Sequence, residues 1–118
     1  MKSDYPLVSL IIVNWNGKKW LRNCLDSVYS QNYKNFEVIF VDNASTDDSV
    51  DFVKDNYPET KIIQNEDNYG FAKGNNIATR IAKGKYLFFL NNDTKVGKNF
   101  LTELVKSNSS IEKNSQGI

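Results

Sequence analysis

Several apolar runs of this 118-residue sequence end abruptly in carboxamides and carboxylates, and those ends are where chemistry can be done. Tyr86-Leu87-Phe88-Phe89-Leu90 gives way to Asn91-Asn92-Asp93-Thr94. A carboxylate at such an exit can hold a hard divalent cation, which in turn neutralises a diphosphate. The run Phe36 to Val41 ends in Asp42, a carboxylate placed to accept hydrogen bonds from a base or a ribose. Leu7 to Val13 ends in Asn14-Trp15-Asn16-Gly17, where the indole can stack on a base. Lys61 to Gln64 leads into the loop Asn65-Glu66-Asp67-Asn68-Tyr69-Gly70. Each of these ends is also good turn chemistry, so none decides by itself between a turn and a site. The sequence has no histidine, so any acid, base or metal ligand must be a carboxylate, amide, lysine or tyrosine.

The elements that position these ends follow from periodicity. Each apolar run is too short for a helix and reads as a buried strand. Tyr86 to Leu90 lacks polar alternation, which predicts cover on both faces. Between the strands, Trp20, Leu21, Cys24, Leu25 and Val28 recur at helical spacing over Lys18 to Tyr29, which makes Cys24 core packing. A second helix is predicted to open at Asn43 to Asp48, with Ser45 as its N-cap, Asp47 and Asp48 in its first turn and Pro58 as its stop. A third, Phe71 to Ala82, carries the small residues Ala72, Gly74 and Ala78 on a face able to approach the sheet closely. Phe100, Leu101, Leu104 and Val105 predict one more helix. Strands alternating with helices over short connections give an α/β, Rossmann-like doubly wound parallel sheet. Its expected strand order is 3-2-1-4, and Asn14, Asp42, Asn68 and Asp93 gather at one edge.

Composition limits the rest. One domain is expected over residues 1–106, followed by a polar C-terminal tail at 107–118. Fifteen basic and 14 acidic residues leave a net charge of +1, which gives no reason to expect nucleic acid as a partner. A single cysteine fits a reducing compartment, and the N-terminus lacks the apolar core of a signal peptide, so a cytoplasmic location is expected. The turn Asn14-Trp15-Asn16-Gly17 is neither Gly-x-Gly-x-x-Gly nor a P-loop, which argues against NAD binding and ATP hydrolysis. Together the polar exits describe a site for a nucleoside diphosphate with a metal ion.

Four stretches, Val8 to Gly17, Val41 to Asp47, Asn68 to Asn76 and Leu90 to Thr94, resemble the successive motifs of the family 2 glycosyltransferases, most closely its rhamnosyltransferase-like branch. The resemblance implies the A-type glycosyltransferase fold, an inverting reaction, and Mg²⁺ or Mn²⁺. The implied donor is a nucleotide-diphosphate sugar, UDP- or dTDP-linked, and the implied acceptor a glycan or lipid-linked molecule met at the inner face of the membrane. By residue, it implies nucleotide binding by Val13, Asn14, Trp15, Asp42, Asn68, Gly70, Lys73, Asn91 and Asn92. Trp15 lies against the base and Asp42 on its imide edge. Asn91-Asn92-Asp93 stands where the family has Asp-x-Asp, so Asp93 is the implied metal ligand. Asn75 occupies a position where many members carry arginine, and Lys73 is the nearest substitute cation.

No catalytic base is expected within this chain; the family supplies it from a later half, beyond Ile118. The chain therefore reads as the donor-binding part of a glycosyltransferase, with an open fourth-strand edge suited to self-association or a further segment. Two alternatives stand beside it. One is a non-catalytic nucleotide-sugar binding module. The other is a phosphoacceptor domain of flavodoxin-like topology, which would require acids on the first strand that Val13-Asn14 does not supply.

Overall fold

β-Branched and aliphatic side chains dominate Leu7 to Val13, a composition that favours pleated backbone packed on both faces. In the computed structural model, which describes residues 5–114, this run forms the central strand. The chain alternates as β1 (Val8–Asn14), α1 (Lys18–Tyr29), β2 (Phe36–Asn43), α2 (Ser49–Asn56), β3 (Lys61–Asn65), α3 (Gly70–Ile81), β4 (Tyr86–Asn91) and α4 (Phe100–Asn114). The four strands are parallel and lie in the order β3-β2-β1-β4, as the sequence predicts. Register aligns their ends: Asn14 pairs with Asp42, Val13 with Asn91, and Asn43 with Asn65. The polar exits are thus neighbours because the strands stop together.

Alternation along β1 divides the core. Val8, Leu10 and Ile12 face a large cluster built with Leu21, Cys24, Leu25 and Val28 of α1, Val53 of α2, and Leu101 and Val105 of α4. The α1 members recur at i, i+3, i+4 and i+7, the stripe a helix needs to bury one side. Ile11 faces the other way, into a smaller cluster with Ile39, Val41 and Ala78 of α3. Gly74 allows this contact: a Cβ there would meet the Val13 methyls at 3.0 and 3.2 Å.

Three expectations need correction. β4 is an edge strand, and only its Tyr86 and Leu90 side is buried. Phe89, on the α3 side, is 47% exposed because α3 packs over β1 and β2. α2 begins at Ser49, not near Ser45, because Ala44 and Asp48 adopt left-handed φ values of 62° and 66° that no helix tolerates. Asp48 holds the N-cap position without a side-chain capping bond. Asp47 instead accepts hydrogen bonds from the Ser49 N–H and hydroxyl, so it performs the capping expected of these acids. Finally, α4 continues to Asn114, past Lys106 where the domain was expected to end; the remainder of that tail, 115–118, lies outside the described residues.

The edge opposite the polar exits is locked by Glu37. Its carboxylate accepts hydrogen bonds from Ser9 Oγ at 2.6 Å, the Lys83 N–H at 2.8 Å and Lys61 Nζ at 2.7 Å, joining three strands to the α3–β4 connection. Burial pushes this carboxyl up, but the bonds from Lys61, Lys83 and Ser9 together outweigh it and hold it below its ordinary value. A carboxyl lowered in the folded state adds stability above its unfolded pKa, and that stability is lost as pH falls through the folded one. Asp47 is lowered in the same way and acts in the same range. Chemical denaturation followed between about pH 5 and about pH 2 should show stability falling with pH, and Glu37→Gln should flatten part of that fall. An unchanged acid sensitivity in the variant would contradict the lock.

Candidate functional site

Where the strands stop, side chains replace ladder hydrogen bonds. Asn14 ends β1 with no exposed surface, and its Nδ2 donates to Asp42 Oδ1 at 3.0 Å and to Ser45 Oγ at 3.3 Å. Its Oδ1 accepts from Asn92 Nδ2 at 2.7 Å. Asp42, 2% exposed, also accepts from the Ser45 N–H at 2.9 Å and the Ser45 hydroxyl at 2.7 Å. An ionised carboxylate has about four acceptor positions, so three bonds leave one for a ligand. The exits of β4, β1 and β2 are therefore one hydrogen-bonded chain: Asn92, Asn14, Asp42, Ser45.

The two loops above it are stitched together. The Asn16 N–H donates to Ser45 Oγ at 2.8 Å, and Asn16 Oδ1 accepts from the Thr46 N–H at 2.7 Å. The Lys18 N–H donates to Asp47 Oδ2 at 2.9 Å. Asn16 pays for this with a φ of 51°, a region asparagine tolerates better than most residues. Gly17 is required by crowding: a Cβ there would lie 2.2 Å from Asn92 Nδ2 and 2.6 Å from Asn14 Oδ1. Trp15, between Asn14 and Asn16 in this knot, is 54% exposed.

The third loop joins through Asn43, whose Oδ1 accepts from Asn65 Nδ2 at 2.8 Å and whose Nδ2 donates to the Gly70 carbonyl at 3.2 Å. Gly70 has a φ of 80°, and its N–H is held by Asn68 Oδ1 at 3.0 Å. Lys73 is exposed with its ammonium 4.1 Å from the centre of the Tyr69 ring, so part of its charge is engaged by an aromatic face. Asn75 buries its Oδ1 without a hydrogen-bond partner among the described residues.

Of the residues expected from sequence, Asn14, Asp42 and Asn92 are brought into direct contact, while Val13 packs on the α3 side against Gly74. Asn68, Gly70 and Lys73 cluster at the start of α3. Asn91, the last residue of β4, and Asp93, two residues beyond it, are exposed. Burial first, and then the negative charge of Asp93, push the Cys24 thiol up to about 11, in keeping with an inert core cysteine beneath this exit. Sequence reasoning missed Asn16, Asn43, Ser45 and Asn65 as parts of the site. Their signal was the density of Asn and Ser beside the exits, residues that bond backbone locally and read as ordinary turns.

Among the described residues no three His, Cys, Asp or Glu side chains converge as a metal site. A lone carboxylate with neighbouring amides does fit Mg²⁺ or Mn²⁺ of the kind bound by one carboxylate plus substrate phosphates.

The parallel 3-2-1-4 sheet with its polar crevice is that of the A-type glycosyltransferases. S. aureus TarS 1-349 in complex with UDP-GlcNAc superposes with a TM-score of 0.78 at 29% identity, covering 84% of this chain and 30% of that one. The mannosyltransferase PcManGT from Pyrobaculum calidifontis, in complex with GDP-Man and Mn²⁺, gives 0.79 at 28% identity over 86% of this chain and 32% of that one. The chain belongs to glycosyl transferase family 2, whose family model matches residues 9–113. Among its relatives, the Escherichia coli UDP-Glc:alpha-D-GlcNAc-diphosphoundecaprenol beta-1,3-glucosyltransferase WfaP is 42% identical over 89 residues, 74% of this chain and 35% of that protein. Glycosyltransferase GlyG of Streptococcus pneumoniae is 30% identical over 103 residues, 83% and 34% of the two chains. This chain thus spans about a third of the length of the relatives it matches. No helix among the described residues is long and apolar enough to cross a membrane.

Proposed function

We propose that this chain is the donor-binding part of an inverting glycosyltransferase that takes a sugar from a nucleoside diphosphate and passes it to a glycan or lipid-linked acceptor. The observation that carries this reading is the chain Asn92, Asn14, Asp42, Ser45, which fixes one buried carboxylate two strands away from the exposed Asp93 exit. Asp42 offers its remaining acceptor position to an imide N–H of the base, while Trp15 supplies a face for stacking. Asn91 and Asn92 contact ribose and phosphate from the β4 exit, and Lys73 contributes charge at the start of α3. A divalent ion held at Asp93 would supply neutralisation of the diphosphate leaving group.

In the inverting reaction the acceptor hydroxyl oxygen attacks the anomeric carbon opposite the diphosphate. The bond from that carbon to the phosphate oxygen breaks, and the hydroxyl proton passes to a base that is assigned to no residue of this chain. Residues described here bind and orient the donor; Asp42 discriminates the base. The UDP-GlcNAc complex of TarS and the named donor and lipid-diphosphate acceptor of WfaP support this class of substrate.

Calorimetric titration with UDP, dTDP, GDP and CDP in the presence of Mn²⁺ tests the reading. Cytosine presents a lone pair where uracil presents N–H, leaving Asp42 facing an acceptor, so UDP or dTDP should bind at least about tenfold tighter than CDP. Equal binding of CDP and UDP, or no binding of any of them, would overturn it.

A further inference from the structure

Asn14 was expected to touch the nucleotide, yet its carboxamide is wholly buried and its polar atoms are occupied by protein. An ionised carboxylate can only accept, so the atom Asn14 turns toward Asp42 must be its NH₂. Its carbonyl then faces Asn92, which must answer with its own NH₂. The charge at the end of β2 thereby dictates the orientation of an amide at the end of β4, two strands away and one residue from Asp93. Gly17 makes the space this pair occupies, since a Cβ there would fall 2.2 Å from Asn92 Nδ2 and 2.6 Å from Asn14 Oδ1.

We infer that Asn14 is the positioning residue of this site, a directional hydrogen-bond link that holds the base-reading carboxylate and the metal-bearing loop in one fixed arrangement without contacting the ligand. This rests on the donor-binding reading above. A nucleoside diphosphate needs both ends of the site at a set separation. A link made through one buried amide fixes that separation more tightly than exposed loops can, because its alternatives leave buried donors facing donors.

Aspartate at this position makes the inference testable, because a protonated carboxyl reproduces the two bonds of the link, its O–H donating to Asp42 and its carbonyl accepting from Asn92, and gives up only the longer bond to Ser45 Oγ. Ionised, it faces Asp42 with a second negative charge. The acids gathered at this edge, Asp42 in contact and Asp47 and Asp93 on neighbouring loops, all favour retention of that proton. The folded pKa of the new carboxyl is thus raised, and the link is intact below it and lost as pH rises through it.

The experiment is titration of wild type, Asn14→Asp and Asn14→Ala with UDP and Mn²⁺ at about pH 5 and about pH 8, each variant referred to wild type at the same pH, with melting curves alongside. Asn14→Ala should bind about tenfold weaker or worse at both pH values. Asn14→Asp should bind within about threefold of wild type at the lower pH and more than about thirtyfold weaker at the higher one. A merely structural residue would lower the melting temperature without this pH-dependent recovery. If wild type binds and Asn14→Ala binds equally well, or Asn14→Asp keeps one ratio to wild type at both pH values, the inference is overturned while the function stands. Where wild type binds dTDP in place of UDP the same titrations are run with dTDP, and if wild type binds neither, the donor-binding reading falls and takes this inference with it.

Discussion

Asp42→Ala should abolish measurable nucleoside diphosphate binding and destabilise the fold by about 2–3 kcal/mol. Three donors, Asn14 Nδ2 and the N–H and hydroxyl of Ser45, point at this carboxylate from within 3.0 Å, and the residue is 2% exposed. Truncation leaves them facing a void that water reaches poorly, and a buried donor without a partner costs more than the net worth of its bond. The loss spreads, because Ser45 Oγ also anchors the Asn16 N–H and Asn14 also holds Asn92. Asp42→Asn is the informative contrast. It keeps the volume but places an NH₂ against either the Asn14 NH₂ or the Ser45 donors, so binding should fall with a smaller loss of stability. Urea unfolding together with nucleotide titration measures both. Wild-type stability and affinity in the alanine variant would refute the buried-carboxylate account.

The second large effect lies at the opposite edge. A Cβ on Gly84 would sit 2.6 Å from the Ser9 backbone nitrogen, 2.6 Å from Ser9 Oγ and 3.0 Å from the Leu7 carbonyl. These are mostly backbone atoms of the chain entering the central strand, which cannot swing aside as a flexible side chain would. Gly84→Ala should therefore cost about 3 kcal/mol. It should also disturb the bonds that set β4 beside β1, from the Gly84 N–H to Ser9 Oγ at 2.9 Å and from the Lys85 N–H to Leu7 O at 2.7 Å. Because β4 carries Asp93 past its other end, nucleotide binding should weaken too. Gly97 is the matched control: nothing lies within 4 Å of its Cβ position and its φ is not left-handed, so Gly97→Ala should change stability by no more than about 0.5 kcal/mol. Thermal or urea unfolding of the two variants decides; a stable Gly84→Ala would show that the close approach is relaxed in solution.

Much of this was written in local pattern. Apolar runs ending in Asn14, Asp42 and Asn91 marked strands and their exits, and the doubly wound arrangement, with the fourth strand returning beside the first, led to the order 3-2-1-4. Helix α1 was legible from Leu21, Cys24, Leu25 and Val28 because a 3.6-residue period survives any tertiary context. What escaped was set by distant partners. Ser45 reads as an N-cap from its neighbours, but Asn14 and Asn16 reach it from about thirty residues away and turn it into a hub. Phe89 lies in a run that looks buried on both faces; its exposure depends on where α3 lands, which no five-residue pattern encodes. Asn14 was recognised as part of the site, but its bonds to Asp42, Ser45 and Asn92 are long-range contacts that no local pattern encodes.

The central claim is that Asp93 brings a divalent ion to a diphosphate whose base is read at Asp42. Titrating UDP into wild type and into Asp93→Ala, each with and without Mn²⁺, addresses it most directly. The account predicts that Mn²⁺ tightens UDP binding to the wild type by at least about tenfold and leaves binding to the variant unchanged. An equal Mn²⁺ enhancement in both proteins, or UDP binding to wild type that ignores the metal, would contradict it.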